Sequence, residues 1–313
     1  MALEVKPRPT PEYFIKQPKS EILARLPGAN HIILGPSKSG KSVLWQSMLL
    51  DGYKGCFSRI FLFTPSGNVD DSLEPIKRYI EKDLGHDVKS EGPYLFEELD
   101  PAVIKGILKK QEKIHDVLKH KVYKEKNFTG KKWLPQILIV ISDHADNPKA
   151  VHRAGGILET LFVRARHFGC STWTDSQALK LLSPSVRLNI AGLAIFRLRS
   201  NHDLDSIMEF TALGISKEEL MEMYRQATKE MYSFLYVNML ERDVSRMFFK
   251  NFSSRLIPQR VADEAAGPSE GIAAPQNASA SAGAVQRDGQ RAQGSGGQGL
   301  GGDVAGSRPK GRG

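Results

Sequence analysis

The eight residues Gly35-Pro36-Ser37-Lys38-Ser39-Gly40-Lys41-Ser42 constrain this 313-residue chain more than any other stretch. They fit the pattern G-x-x-x-x-G-K-[ST], in which small residues let the backbone curl so that its N–H groups face phosphate oxygens. The flanks supply the context the pattern needs. His31-Ile32-Ile33-Leu34 reads as a short buried strand, and Ser42–Leu50 opens a helix with apolar residues at helical spacing. In that setting Lys41 offers a cation to the outer phosphates, the Ser42 hydroxyl is placed to ligate magnesium, and the helix N-terminus adds partial positive charge. Gly35, Pro36, Ser37, Lys38, Ser39, Gly40, Lys41 and Ser42 are therefore the expected nucleotide-binding residues, with ATP and Mg2+ as cofactors.

The rest of the chain alternates strands and helices. After the loop and its helix come a strand at Arg59–Phe63, a helix at Leu73–Leu84 that Gly85 stops, and a long helix at Asp100–Lys126. Further strands are expected at Gln136–Ser142, Gly169–Thr174, Leu193–Leu198 and Tyr232–Met239. Helices are expected at Gly155–His167, Ser185–Ile190, Asp203–Leu213 and Ser216–Glu230. Such alternation implies an α/β fold with a mainly parallel sheet flanked by helices. Val103, Ile104, Ile107, Leu108, Ile114, Val117, Leu118 and Val122 make an apolar stripe on the long helix, and eight lysines cover its other face. Residues 100–130 thus read as a basic helical insertion whose lysines are either a solvated outer face or a contact to phosphates or a neighbouring subunit.

Three parts follow: an extended Pro-rich arm at 1–29, a globular domain at 30–258, and a low-complexity tail at 259–313. Beyond Pro258 the chain is dominated by Gly, Ala, Ser and Gln without apolar periodicity, and disorder is expected there. The tail from residue 261 balances five basic against five acidic residues, so the net charge of +9 belongs to the folded part. That excess suggests an acidic partner, with nucleic acid foremost. Two cysteines cannot build a disulfide framework and suit a reducing compartment. The N-terminal residues lack the apolar core of a secretory peptide, and the longest apolar run, Ile137–Ile141, falls far short of the ~20 residues that span a bilayer. A soluble intracellular protein without a membrane partner is expected, in cytoplasm, nucleus or virus particle.

A phosphate loop needs a carboxylate on a neighbouring strand to hold the magnesium water shell, and a second acid to activate the attacking water. The apolar run of Gln136–Ser142 ends at Ser142-Asp143, which makes Asp143 the candidate for metal and catalytic work. The following strand ends in Thr172-Trp173-Thr174-Asp175-Ser176-Gln177. Strand C-termini of a parallel sheet face the ligand crevice, so Gln177 can reach a γ-phosphate or its water.

With these residues collected, the chain resembles the FtsK/HerA superfamily of P-loop motors, and within it the poxvirus-type genome-packaging ATPases of large eukaryotic DNA viruses. The resemblance spans about residues 28–255. It rests on Gly35–Ser42, Phe61-Leu62-Phe63-Thr64-Pro65-Ser66, Ser142-Asp143, Arg164-Ala165-Arg166-His167-Phe168-Gly169, Ser176-Gln177, Ser185-Val186-Arg187-Leu188-Asn189 and the segment Tyr224–Val237, with Tyr-Ser-Phe-Leu-Tyr-Val on the last strand. It implies an ASCE-type P-loop NTPase that hydrolyses ATP, assembles as a ring and drives double-stranded DNA into a capsid, with a capsid or portal protein as partner. Carried over residue by residue, Lys41 and Ser42 take the phosphate and magnesium roles and Gln177 the polar sensor. Arg187 matches an arginine that could reach a neighbouring subunit's nucleotide, and Arg166 falls in the family's Gly-Arg-His motif.

The sequence departs from that pattern where the family ends its strand in two acids. Aligned without a gap, Ser142 replaces the magnesium-associated acid and Asp143 keeps the water-activating position. A one-residue shift would make Asp143 the metal ligand and put His144 in the catalytic place, with Asp146 near enough to substitute in part. Ala165 also replaces a glycine, and Asp175 precedes Ser-Gln. A hydroxyl brings no charge to a magnesium shell. The alternative to a DNA-translocating ATPase is therefore a nucleotide-binding, hydrolysis-impaired scaffold derived from one. A small-molecule kinase is a third reading.

Overall fold

The computed structural model describes residues 11–125, 128–144, 156–211, 215–259 and 261–262. The chain divides into one unit at Met1–Pro268 and another at Ser269–Gly313, and the second lies wholly outside the described residues, as do Asp146 and nearly all of the tail expected to be disordered.

Nine strands form one sheet in the order β3-β2-β4-β5-β1-β6-β7-β8-β9. They are β1 (His31–Leu34), β2 (Arg59–Phe63), β3 (Leu95–Phe96), β4 (Ile137–Ile141), β5 (Cys170–Ser176), β6 (Gly192–Phe196), β7 (Phe234–Asn238), β8 (Phe248–Lys250) and β9 (Ser254–Leu256). The first six in spatial order are parallel, and the last three continue the sheet antiparallel. β4 is apolar throughout and fully buried because helices cover both its faces, the usual situation of a central parallel strand.

Alternation along the strands sorts the core into two layers. Leu34, Ile137, Ile139 and Ile141 face the helices Pro101–Asp116 (α4), Ile157–Val163 (α5), Asn201–Thr211 (α7) and Lys217–Ala227 (α8). Ile33, Leu138, Val140 and Trp173 face the helix Lys41–Ser47 (α1), through Leu44 and Trp45, then Met48 in the turn that follows it, and the helix Glu74–Arg78 (α2). Residues from the N-terminal arm enter this second layer. Leu23, Ala24, Leu26 and Ala29 are buried there, Lys19 N–H donates to the Gly52 carbonyl at 3.2 Å, and Phe14 N–H donates to the Lys132 carbonyl at 2.7 Å.

The helix bounds follow local chemistry. Asp100 caps α4 by accepting from the Ala102 N–H at 2.7 Å, and Pro101 sits at its first turn. Ser216 and Glu219 form a reciprocal capping box on α8. α4 is the crossover between β3 and β4, and its buried stripe differs from the one read in sequence. Ile104 and Leu108 are buried, Ile114 is exposed, and Gln111 and His115 occupy the inner face instead, both bonded at 2.8 Å to the Pro135 carbonyl. The lysines at 105, 109, 110, 113, 121 and 124 are exposed. β3, β8, β9 and the short helix Val88–Glu91 (α3) carry no signal in the sequence, because elements of two to four residues are too short to show a period. Cys56 and Cys170 are free and buried, and no helix among the described residues is long and apolar enough to cross a membrane.

Beneath β1 lies an aromatic cluster. The Tyr53 hydroxyl donates to the Ala24 carbonyl at 2.7 Å, so the 2.8 Å bond between it and His31 Nε2 has the imidazole as donor. Trp173 and Tyr236 pack on the same ring. Burial pushes the His31 pKa from 6.5 down to about 3, and burial lowers that of His115 as well. The unfolded chain therefore takes up protons that the folded one refuses, and stability falls as pH drops below the unfolded value. Denaturation between pH 7 and pH 5 is expected to reveal a loss of about 2 kcal/mol from His31 alone, at up to ~1.4 kcal/mol per pH unit. His31→Gln should flatten that dependence; an unchanged pH slope would contradict the assignment.

Candidate nucleotide-binding site

The loop between β1 and α1 closes over a small space. A side chain on Gly35 would meet Ser39 Oγ at 2.6 Å and Phe196 Cβ at 2.9 Å, so only hydrogen fits. Lys38 (φ 65°) and Gly40 (φ 100°) take left-handed backbone conformations that turn the chain into the helix. The Gly35 N–H donates to the Ser176 carbonyl at 3.1 Å, fastening the loop to the end of β5. Lys41 is buried, and its Nζ donates to the carbonyls of Gly35 and Pro36, both at 3.1 Å. The Ser39 hydroxyl is buried without a hydrogen-bond partner.

A cleft of about 1140 Å3 opens from this loop. Ser37, Lys38, Gly40, Lys41 and Ser42 form its polar end, together with Asp143. Its remainder is mainly apolar, walled by Leu23, Val43, Phe196, Tyr232, Phe234 and Phe252, with Lys19, Ser20, Ser47, Asp51 and Asn251 also in the lining. Such a shape suits a ligand with a charged phosphate end and a flat apolar end. The Ser42 hydroxyl and the Asp143 carboxylate, together with phosphate oxygens, make a hard oxygen donor set that fits magnesium. Tyr232, Asn251 and Phe252 were not legible as site residues. They come from the start of β7 and the β8–β9 turn, and only the antiparallel end of the sheet carries them to the cleft.

On the strand side, Ser142 follows β4 and is buried, whereas Asp143 is exposed with φ 56°. Between them and the loop stands Asp175. β5 runs two residues beyond the expected Thr174, and Asp175 and Ser176 pair with Ile33 and Leu34 of β1. The Ser142 hydroxyl donates to Asp175 Oδ2 at 2.5 Å, and the Asp143 N–H donates to Asp175 Oδ1 at 3.1 Å. Burial pushes the Asp175 carboxyl up from its ordinary value. The two hydrogen bonds and the Lys41 charge pull it down, and the Asp143 charge adds to the rise.

The remaining sequence-expected residues lie outside the cleft. Gln177 is exposed and directly follows Ser176, whose carbonyl receives the Gly35 N–H. Arg187 ends the short helix Pro184–Arg187 (α6), in the layer opposite α1, and its Nε is buried without a partner. Arg166 is exposed in the turn Ala165–Phe168, at the end of β5 remote from the loop.

No family model matches the chain, and no curated protein matches it. Among solved structures, the chain is similar to the DNA-packaging ATPase B204 of Sulfolobus turreted icosahedral virus, at 14% identity and a TM-score of 0.46, over 70% of this chain and 94% of that one. It is also similar to the genome packaging NTPase B204 of Sulfolobus turreted icosahedral virus 2 in complex with ATP-gammaS, at 14% identity and a TM-score of 0.46, over 74% and 97% of the two chains. A third likeness is to the pCW3 conjugation coupling protein TcpA, at 17% identity and a TM-score of 0.47, over 75% of this chain and 64% of that one. A phosphate loop joining β1 to α1, within a sheet whose central strands are parallel, describes the architecture by itself. The fold is that of a P-loop NTPase.

Lys41→Ala removes the one cation that, among the described residues, is buried at the polar end of the cleft. Titration with a fluorescent ATP analogue should show affinity reduced by about 10- to 100-fold, the worth of a charge-assisted hydrogen bond of roughly 1.5–3 kcal/mol. Retained affinity would mean that the cleft is not the phosphate site.

Proposed function

We propose that the protein is an ATP-driven motor that translocates double-stranded DNA, of the kind that packages viral genomes. The observation that carries this reading is that the phosphate loop and two further motifs of the resemblance meet at one end of the central strands. Gly35–Ser42, Ser142-Asp143 and Asp175-Ser176-Gln177 all lie at the C-terminal ends of β1, β4 and β5. The net charge of +9, borne by the folded part, supports a polyanionic partner.

In this reading Lys41 and the backbone N–H groups of the loop bind the outer phosphates, and Ser42 and Asp143 hold the magnesium end. A magnesium ion held there by Ser42 and Asp143 would offset the negative charge that develops on the outer phosphates. Asp143, which lines the cleft, accepts a proton from the attacking water, and Gln177 orients that water. Arg187 lies in the layer away from its own phosphate loop, which suits a residue donated to a neighbouring subunit in a ring. Arg166 is exposed at the end of β5 remote from the loop, where it too is open to a neighbouring subunit. The exposed lysines of α4 are the candidate DNA-facing or subunit-facing charges.

A second reading is favoured by Ser142, a neutral hydroxyl where the resembled family has an acid. The chain would then bind nucleotide and serve as a scaffold without turning it over. Hydrolysis measured with and without double-stranded DNA separates the two. The motor reading expects a rate that DNA raises, that Lys41→Ala abolishes, and whose DNA dependence weakens steeply with added salt. It fails if DNA neither binds at low salt nor accelerates hydrolysis. Asp143→Asn is expected to lower kcat by about 10²- to 10⁴-fold, as for loss of a general base, while nucleotide affinity measured in EDTA stays within a few-fold of native.

A further inference from the structure

We infer that Asp175, delivered by β5, supplies beside Asp143 the magnesium-side carboxylate that is missing at position 142, with Ser142 acting as the group that holds it in position. This rests on the nucleotide-binding reading of the cleft, and it assigns to Asp175 a role that its place in the sequence does not suggest.

The register of the sheet carries the argument. β4 and β5 are paired with Val140 beside Trp173 and Ile141 beside Thr174, so Ser142 and Asp175 are the next neighbours across the two strands. Leu138, Val140 and Trp173 all face the α1 layer, and strand alternation gives Ser142 and Asp175 that same face. β5 lies between β4 and β1, with Asp175 beside Ile33. A carboxylate at position 175 therefore stands one strand spacing, about 4.8 Å, nearer the phosphate loop than a side chain at position 142.

Both of its oxygens are fixed. Ser142 Oγ donates to one at 2.5 Å and the Asp143 N–H to the other at 3.1 Å. These donors are neutral. The cation that acts on Asp175 is Lys41, whose Nζ is itself engaged with the carbonyls of Gly35 and Pro36. A largely buried carboxylate held by neutral donors beside a phosphate loop is well placed to accept hydrogen bonds from water on a hard cation. Each carboxylate oxygen accepts more than one hydrogen bond, so the bonds to Ser142 and Asp143 leave acceptor capacity for it. The substitution at position 142 thus comes with a carboxylate moved across to the adjacent strand, its hydroxyl serving as the brace.

The test is the magnesium dependence of nucleotide affinity in the full chain, read with a fluorescent ATP analogue in excess magnesium and in EDTA. For the native chain magnesium should tighten binding. Asp175→Asn should cut that tightening by about tenfold or more, the worth of a hydrogen bond to a charged group. In EDTA the same variant should bind as well as the native chain or better, because one negative charge facing the triphosphate is gone. The exchange variant Ser142→Asp/Asp175→Ser, which returns the acid to β4, should keep magnesium-dependent binding, and it provides the reading should Asp175→Asn fail to fold. The assignment is overturned if Asp175→Asn responds to magnesium like the native chain, or loses affinity equally in both conditions as a merely structural residue would. It is also overturned if the exchange variant binds without any response to magnesium. A native chain that binds no nucleotide in either condition overturns the nucleotide site itself, and the assignment with it.

Discussion

The absence of a side chain at Gly35 is the constraint on which the site depends. Any Cβ there would run into Ser39 on one side and Phe196 on the other, and the loop could not close against β6. Closed, it brings the Gly35 N–H onto the Ser176 carbonyl and folds Lys41 back over the carbonyls of Gly35 and Pro36. The loop is therefore tied both to its own helix and to a strand far along the chain. Its shape belongs to the sheet as much as to the eight residues that spell it.

That dependence explains the order of the strands around it. β1 is four residues long and wholly buried, with β5 on one side and β6 on the other. Its neighbours hold it by parallel ladders, and helices cover both faces, so a short apolar segment is anchored firmly enough to present a polar loop. The antiparallel extension through β7, β8 and β9 then wraps Phe234, Asn251 and Phe252 around to the apolar wall of the cleft. The polar end of the cleft comes from the phosphate loop, and its apolar wall draws on the arm, α1, β6 and the antiparallel extension together.

How much of this was legible in the sequence depended on how local the cause was. Gly35–Ser42 was readable because consecutive residues carry the chemistry, and β4 because five buried apolar residues leave little else for the segment to be. Asp175 was visible only as a polar residue past the end of a strand. Its alternation with Trp173 was a usable signal, but the strand reaches it because β1 pairs alongside, and that pairing is tertiary. Gln111 and His115 interrupt the apolar stripe of α4, and the carbonyl they share at Pro135 lies 20 residues or more along the chain. Ile114 keeps the helical spacing and is nevertheless exposed. Periodicity reports which face is apolar on average, not where a neighbouring element stops covering it.

The layer between α1 and the sheet has one more consequence. Of the three tryptophans in the chain, Trp45 sits on α1 and Trp173 on β5, two residues before Asp175, and both are buried at 3% and 0% exposure. The Trp173 indole donates to the Ala29 carbonyl at 2.9 Å, whereas that of Trp45 has no hydrogen-bond partner. Trp133 stands apart, 44% exposed beside the arm. Two indoles in unlike surroundings thus bracket the helix and the strand that meet at the phosphate loop, and a third, partly exposed, stands apart from both. The chain therefore carries built-in reporters whose ultraviolet emission is expected to respond when α1 moves against β5.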